Sequence, residues 1–89
     1  MSIIEQTLTA LARIDEVGFV ELTLDSSIYP HAVILAAAAD ASKHCLILPI
    51  DDSAGCIRVT ALDPGSARQA IGVGVMALTK FAIQSPGQR

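Results

Sequence analysis

Two cysteines, two histidines, a single tyrosine and six scattered cations are the side chains best suited to chemistry in this 89-residue chain. Cys45 and Cys56 suit a nucleophile, a redox pair or part of a metal site. They share no C-x-x-C spacing, and no base stands at a fixed offset from either. On the hairpin implied by "HCLILPI" (44–50) and "CIRVTAL" (56–62) they fall at opposite ends, about six residues or ~20 Å apart at strand rise. A disulfide needs Cα atoms within about 7 Å, so two independent, reduced thiols are expected, as in a reducing compartment. His44 and Cys45 are adjacent and point to opposite faces of a strand, so one chain cannot chelate with both. Zinc wants four ligands at recognisable spacing, against two His and two Cys in all. "DDSAG" lacks the Asp/Asn alternation and distal Glu of a calcium loop and reads as a hairpin turn. Neither metal nor cofactor is expected.

Three residues are candidates for contact with a small ligand. His31 follows Pro30 in the first turn of a helix, Tyr29 precedes them, and Arg58 lies on a strand. The helix start at "DPGS" already carries the Asp63 carboxylate, which repels another anion there. No Ser–His–Asp order, paired-acid motif, phosphate loop or dinucleotide fingerprint is present. The "GVG" of residues 72–74 lies inside a helix, so its glycines serve packing. No catalytic residue is assigned, and an enzyme is not expected.

Composition points toward association. Hydrophobic residues make up 52% of the chain and charged residues 17%, where soluble domains carry about 25% charged. Oligomerisation is the natural remedy. The net charge is −3, with Arg13, Lys43, Arg58, Arg68, Lys80 and Arg89 spread singly; a binder of phosphate backbones wants them clustered, so nucleic acid is excluded as a partner. The longest stretch free of Asp, Glu, Lys and Arg, residues 26–39, contains Ser26, Ser27, Pro30 and His31. That falls short of the about 20 apolar residues a membrane helix needs. With Glu5 ahead of the first basic residue, Arg13, a secretory signal is not expected either, and a soluble cytoplasmic protein is.

The elements that position these residues follow from spacing. "SIIEQTLTALARI" (2–14) puts Ile4, Leu8 and Leu11 on one helical line, and Ser2 with Glu5 has the form of a capping box; a strand pairing with the next segment is the alternative. "VGFVELTL" (17–24) alternates as a strand, with Val20, Leu22 and Leu24 on one face. Helix 30–42 carries Val33, Ala37 and Ala41 on one line, with Ile34 and Ala38 beside it. In the hairpin, Leu46, Leu48 and Ile50 are expected to face the core with Ile57, Val59 and Ala61. Ile50 then opposes Ile57, which leaves Asp52–Gly55 as a four-residue loop. Pro49 marks an edge strand. The last helix opens with Asp63 as cap and Pro64 in first position and runs to about Gln84. It is apolar along Ala67, Ile71, Val75, Leu78 and Ala82, and again along Ala70, Val73, Ala77 and Phe81. A helix apolar on two sides is buried on two sides, so the second line is the expected interface.

The expected architecture is thus one α+β domain: a ferredoxin-like split β-α-β-β-α with a three-stranded antiparallel sheet, helices on one face and an extra N-terminal helix. The third strand sits between the first and second, leaving an open edge for a partner or the N-terminal segment. Leu24–Asp25, Ile28–Tyr29–Pro30, the alanine pair within 36–39 and the two following strands resemble the small HxsD-type proteins of bacterial His-Xaa-Ser peptide-maturation systems. The likeness covers about half the chain. It implies an accessory role beside radical-SAM maturases, with no assigned catalytic residues. Two functions remain open: a non-enzymatic accessory or protein-interaction module, homo-oligomeric through its last helix and open sheet edge, or a small-molecule-binding regulatory domain with a ligand site at a dimer interface. A pocket lined by Tyr29, His31 or Arg58 favours the second, and a flat apolar surface the first.

Overall fold

The computed structural model describes residues 2–51 and 55–84. The N-terminal segment is helical. Ser2 Oγ accepts from the Glu5 amide at 3.1 Å and the Glu5 carboxylate accepts from the Ser2 amide at 3.2 Å, closing the capping box that starts α1 (Ile3–Thr9). The helix breaks at Ala10 and resumes as α2 (Leu11–Val17), which stops at Gly18 in the left-handed conformation (φ 77°). The buried face is not the expected one. Ile4 and Leu8, expected inward, are exposed, while Ile3 and Ile14 are buried with Ala10 and Leu11 packed beside them. Ile3, Ala10 and Ile14 are seven and eleven residues apart and so share one helical phase; the buried line begins at Ile3, one residue ahead of the line expected from Ile4.

Strand β1 (Phe19–Thr23) buries Val20 and Leu22, with Leu24 buried just beyond it. It pairs antiparallel with β3 (Cys56–Ala61), which pairs antiparallel with β2 (Cys45–Asp51), giving the order β1-β3-β2. The third strand is therefore central, as expected. The register of β2 is not. Asp51 opposes Cys56, which agrees with a loop over 52–55, although residues 52–54 lie outside the described chain. Pro49, however, opposes Ile57, so Ile50 is an extra residue in a β-bulge. Upstream of the bulge every side chain changes face. Cys45 and Ile47 enter the core, and Leu46, Leu48 and Ile50 stand outside at 48%, 47% and 44% exposure.

Helix α3 (His31–Asp40) buries Val33, Ala37 and, just past its end, Ala41, with Ile34 and Ala38 packed against the core. Asp63 accepts from the Gly65 amide at 3.0 Å and from the Ser66 hydroxyl at 3.1 Å. These bonds hold Pro64–Ser66 in a 3₁₀ turn ahead of α4 (Ala67–Ile83). Helix α4 meets α1, α2, α3 and all three strands. Its two glycines differ. A Cβ on Gly74 would lie 2.7 Å from Cys45 Sγ and 3.1 Å from Val59 Cγ1, so helix and sheet approach too closely for any side chain. A Cβ on Gly72 would meet nothing within 4 Å, so the packing role expected of both glycines belongs to Gly74 alone.

The outer edge of β1 is covered from within the chain. The Gln6 carboxamide donates to the Thr23 carbonyl at 3.0 Å and accepts from the Thr23 amide at 2.9 Å, as a neighbouring strand would. Gln6→Ala is expected to cost about 1–2 kcal/mol. The Thr23 amide should then exchange with solvent faster by about tenfold or more. Unchanged Thr23 protection in an NMR exchange series would show that the edge is held by other means. The opposite edge, β2, is blunted by Pro49, and the Cys45 amide is taken by the Ala41 carbonyl at 3.0 Å.

Candidate functional site

The turn between β1 and α3 is built on Asp25. Its carboxylate accepts from the Ser27 hydroxyl at 2.6 Å and the Ser27 amide at 2.9 Å, and these bonds hold it below the usual aspartate range. Its carbonyl accepts from the Ile28 and Tyr29 amides. On the facing hairpin Gly55 adopts φ 70°, and a Cβ there would lie 2.5 Å from the Leu24 carbonyl oxygen, so only glycine lets the two segments close. Between them, under the first turn of α3, lies a pocket of about 230 Å³ whose walls include Tyr29, His31, Ile34, Pro49, Asp51 and Ile57.

Of the three ligand candidates, Tyr29 and His31 share this pocket and Arg58 does not. Arg58 projects from the other side of the sheet, where it donates to Glu21 Oε2 at 2.7 and 3.2 Å and lies 4.8 Å from the Phe19 ring centre. The two thiols do not meet, and of the two cysteines only Cys56 is a residue that lines the pocket. Cys45 is 1% exposed beneath Gly74, and burial pushes its thiol above the ordinary value. Cys56 is half-buried, with Sγ 3.7 Å from Thr23 Oγ1 on the face away from the helices. Both are free, as expected. Among the described residues no three His, Cys, Asp or Glu are grouped to hold a metal. No helix among them is long and apolar enough to cross a membrane.

Of the line expected to form an interface, Ala70 and Ala77 are buried inside the chain and Phe81 is half-buried against the core. Only Val73 reaches the surface, beside the more exposed Met76. The Lys80–Asp40 ion pair (3.3 Å) ties α4 to α3 along the same groove.

No family model, curated protein or solved structure matches the chain. The surface geometry therefore carries the functional reading, and its main feature is one the strand pattern concealed. An antiparallel sheet with one solvated face alternates apolar and polar residues, whereas a strand covered on both faces reads as a continuous apolar run. "CLILPI" is such a run. Its Leu46 and Leu48 are apolar side chains on the face of the sheet opposite the buried Cys45 and Ile47, with the exposed Ile50 beyond them at the bulge.

Proposed function

We propose that the chain is a non-catalytic accessory or protein-interaction module that works as a homo-oligomer. One observation carries this reading: large apolar side chains crowd both outer surfaces, Leu46, Leu48 and Ile50 on the sheet and Leu35, Val73 and Met76 on the helices. A two-layer domain with apolar side chains on both outer faces is suited to association. The resemblance to HxsD-type proteins supports a setting beside a bacterial peptide-maturation enzyme. The strand order supports reading β1-α3-β2-β3-α4 as a ferredoxin-like split unit without its fourth strand, with the Gln6 carboxamide seated along the β1 edge where that strand would pair. Sedimentation equilibrium at high micromolar concentration is expected to give a dimer or larger. A monodisperse 9.3 kDa monomer would overturn the proposal.

The pocket beneath α3 favours a second reading, a regulatory domain that binds a small, mainly apolar molecule through Tyr29 and His31. On that reading a metabolite-sized ligand raises the melting temperature of the unmodified chain but not of Tyr29→Ala. Equal shifts for both proteins would remove the pocket from consideration.

A further inference from the structure

Resting on the homo-oligomer reading, we infer that the partner is a second copy of this chain seated face to face on the open side of the sheet, across a two-fold axis that runs through the level of Leu48. Two features of that face fit a copy of itself. Glu21, Arg58 and Leu48 lie side by side in one row across the three strands. Leu46 stands one inward-facing residue before Leu48, and the exposed Ile50 follows at the bulge beyond Pro49, so a large aliphatic residue flanks Leu48 along the strand on each side. A two-fold along the row sets Leu48 against Leu48 of the copy and Leu46 against the copy's Ile50, the self-complementary pattern an isologous interface requires.

Charge selects the same face. The chain carries −3 overall, which opposes association, but the row itself holds one acid and one base already paired at 2.7 Å. The same axis sets Arg58 opposite Arg58 and Glu21 opposite Glu21, but each charge is already neutralised by its neighbour in the row, so two such rows meet with no net charge between them. Pairing by strand addition is disfavoured, because Gln6 occupies the β1 edge and Pro49 interrupts the β2 edge. Three short strands present fewer side chains than the about 20–30 residues a side of a standard interface, so the dimer dissociates on dilution.

Cys56 is a built-in reporter, because its sulfur lies on this face and Cys45 is buried. In the unmodified protein, alkylation of Cys56 by N-ethylmaleimide should slow in proportion to the dimerised fraction as concentration rises, reaching about tenfold when nine-tenths is dimer. Leu48→Glu places like charges opposite one another and should raise the dissociation constant by about 100-fold or more. It should also abolish the protection, while Gln69→Glu, at an exposed position of α4, changes neither. A dimer that survives Leu48→Glu, or whose Cys56 reacts at one rate at all concentrations, overturns this interface and leaves the homo-oligomer reading intact. A monomer at high micromolar concentration overturns both. Should Leu48→Glu fail to fold, the alkylation series on the unmodified chain decides alone.

Discussion

Gly74→Val is expected to abolish cooperative folding, whereas Gly72→Ala, two residues away on the same helix, is expected to stabilise the domain by about 0.5–1 kcal/mol. The first Cβ would sit 2.7 Å from Cys45 Sγ, 3.1 Å from Val59 Cγ1 and 3.7 Å from Ile47 Cδ1. Those side chains are 1%, 0% and 4% exposed and stand on neighbouring strands, so none can swing aside without moving the sheet. Overpacking of this kind costs about 1–3 kcal/mol for small additions. Alanine recovers about 1 kcal/mol of helix propensity and valine recovers less. Valine also adds two methyl groups to a space that already rejects one, in a domain whose total stability is on the order of 5 kcal/mol. At Gly72 nothing stands within 4 Å, so the propensity gain meets no opposing contact. Urea titrations monitored by circular dichroism separate the two. The clash has an identifiable partner, so Cys45→Ala should make Gly74→Ala tolerable, with non-additivity of about 1 kcal/mol or more. Additive effects, or a Gly74→Val protein that melts with the parent, would show that α4 does not ride this close to β2 and β3.

Sequence periodicity resolves those parts of the fold in which one element obeys one period from end to end. The Val33–Ala37–Ala41 line of α3 and the Val20–Leu22–Leu24 alternation of β1 are of this kind, and both are buried as their spacing requires. So are the local hydrogen-bonding signals: the Ser2–Glu5 box and the Asp63 cap stand where the sequence puts them. Periodicity fails where two apolar lines compete or the phase is reset. In the N-terminal segment the Ile4–Leu8 line and the Ile3–Ala10–Ile14 line lie one residue apart, and only the second faces the core. One extra residue, Ile50, turns the correct loop-end pairing of Asp51 with Cys56 into the wrong face for Leu46 and Leu48. The bulge has no composition of its own, and "LILPI" is apolar at every position, so no polar residue betrays the slip. The candidate surface is hidden for the same reason, since strict alternation assigns its apolar residues to the core. The pocket was half legible: Tyr29 and His31 meet there because they are neighbours in sequence, while Arg58 is directed away by strand parity.

Native alkylation is expected to label one cysteine and spare the other. At low protein concentration Cys56, half-buried at the sheet surface, should react within the ordinary range for a thiol. Cys45 should react about 10³–10⁴-fold more slowly, because a side chain 1% exposed becomes accessible only when the domain opens, and a stability near 5 kcal/mol sets that population. Denatured protein should take up two equivalents. A pH series tests the same burial from another direction. Desolvation raises the Cys45 thiol above its ordinary 9.0, and a hydrogen bond with the Gly74 backbone offsets part of that rise. An acid whose folded-state value is raised gives up its proton first in the unfolded chain. The native state therefore binds more protons above pH 9, and stability falls as pH rises. The contribution is complete below pH 9 and is lost between 9.0 and the higher folded-state value. Cys45→Ala is less stable at neutral pH through its lost packing, so the informative quantity is the shape of the curve. Its alkaline decline should be shallower than the parent's, although lysine and tyrosine titrate equally in both. Parallel alkaline limbs, or native uptake of two equivalents within minutes, would place Cys45 in contact with water and remove the close seat of α4 on the sheet.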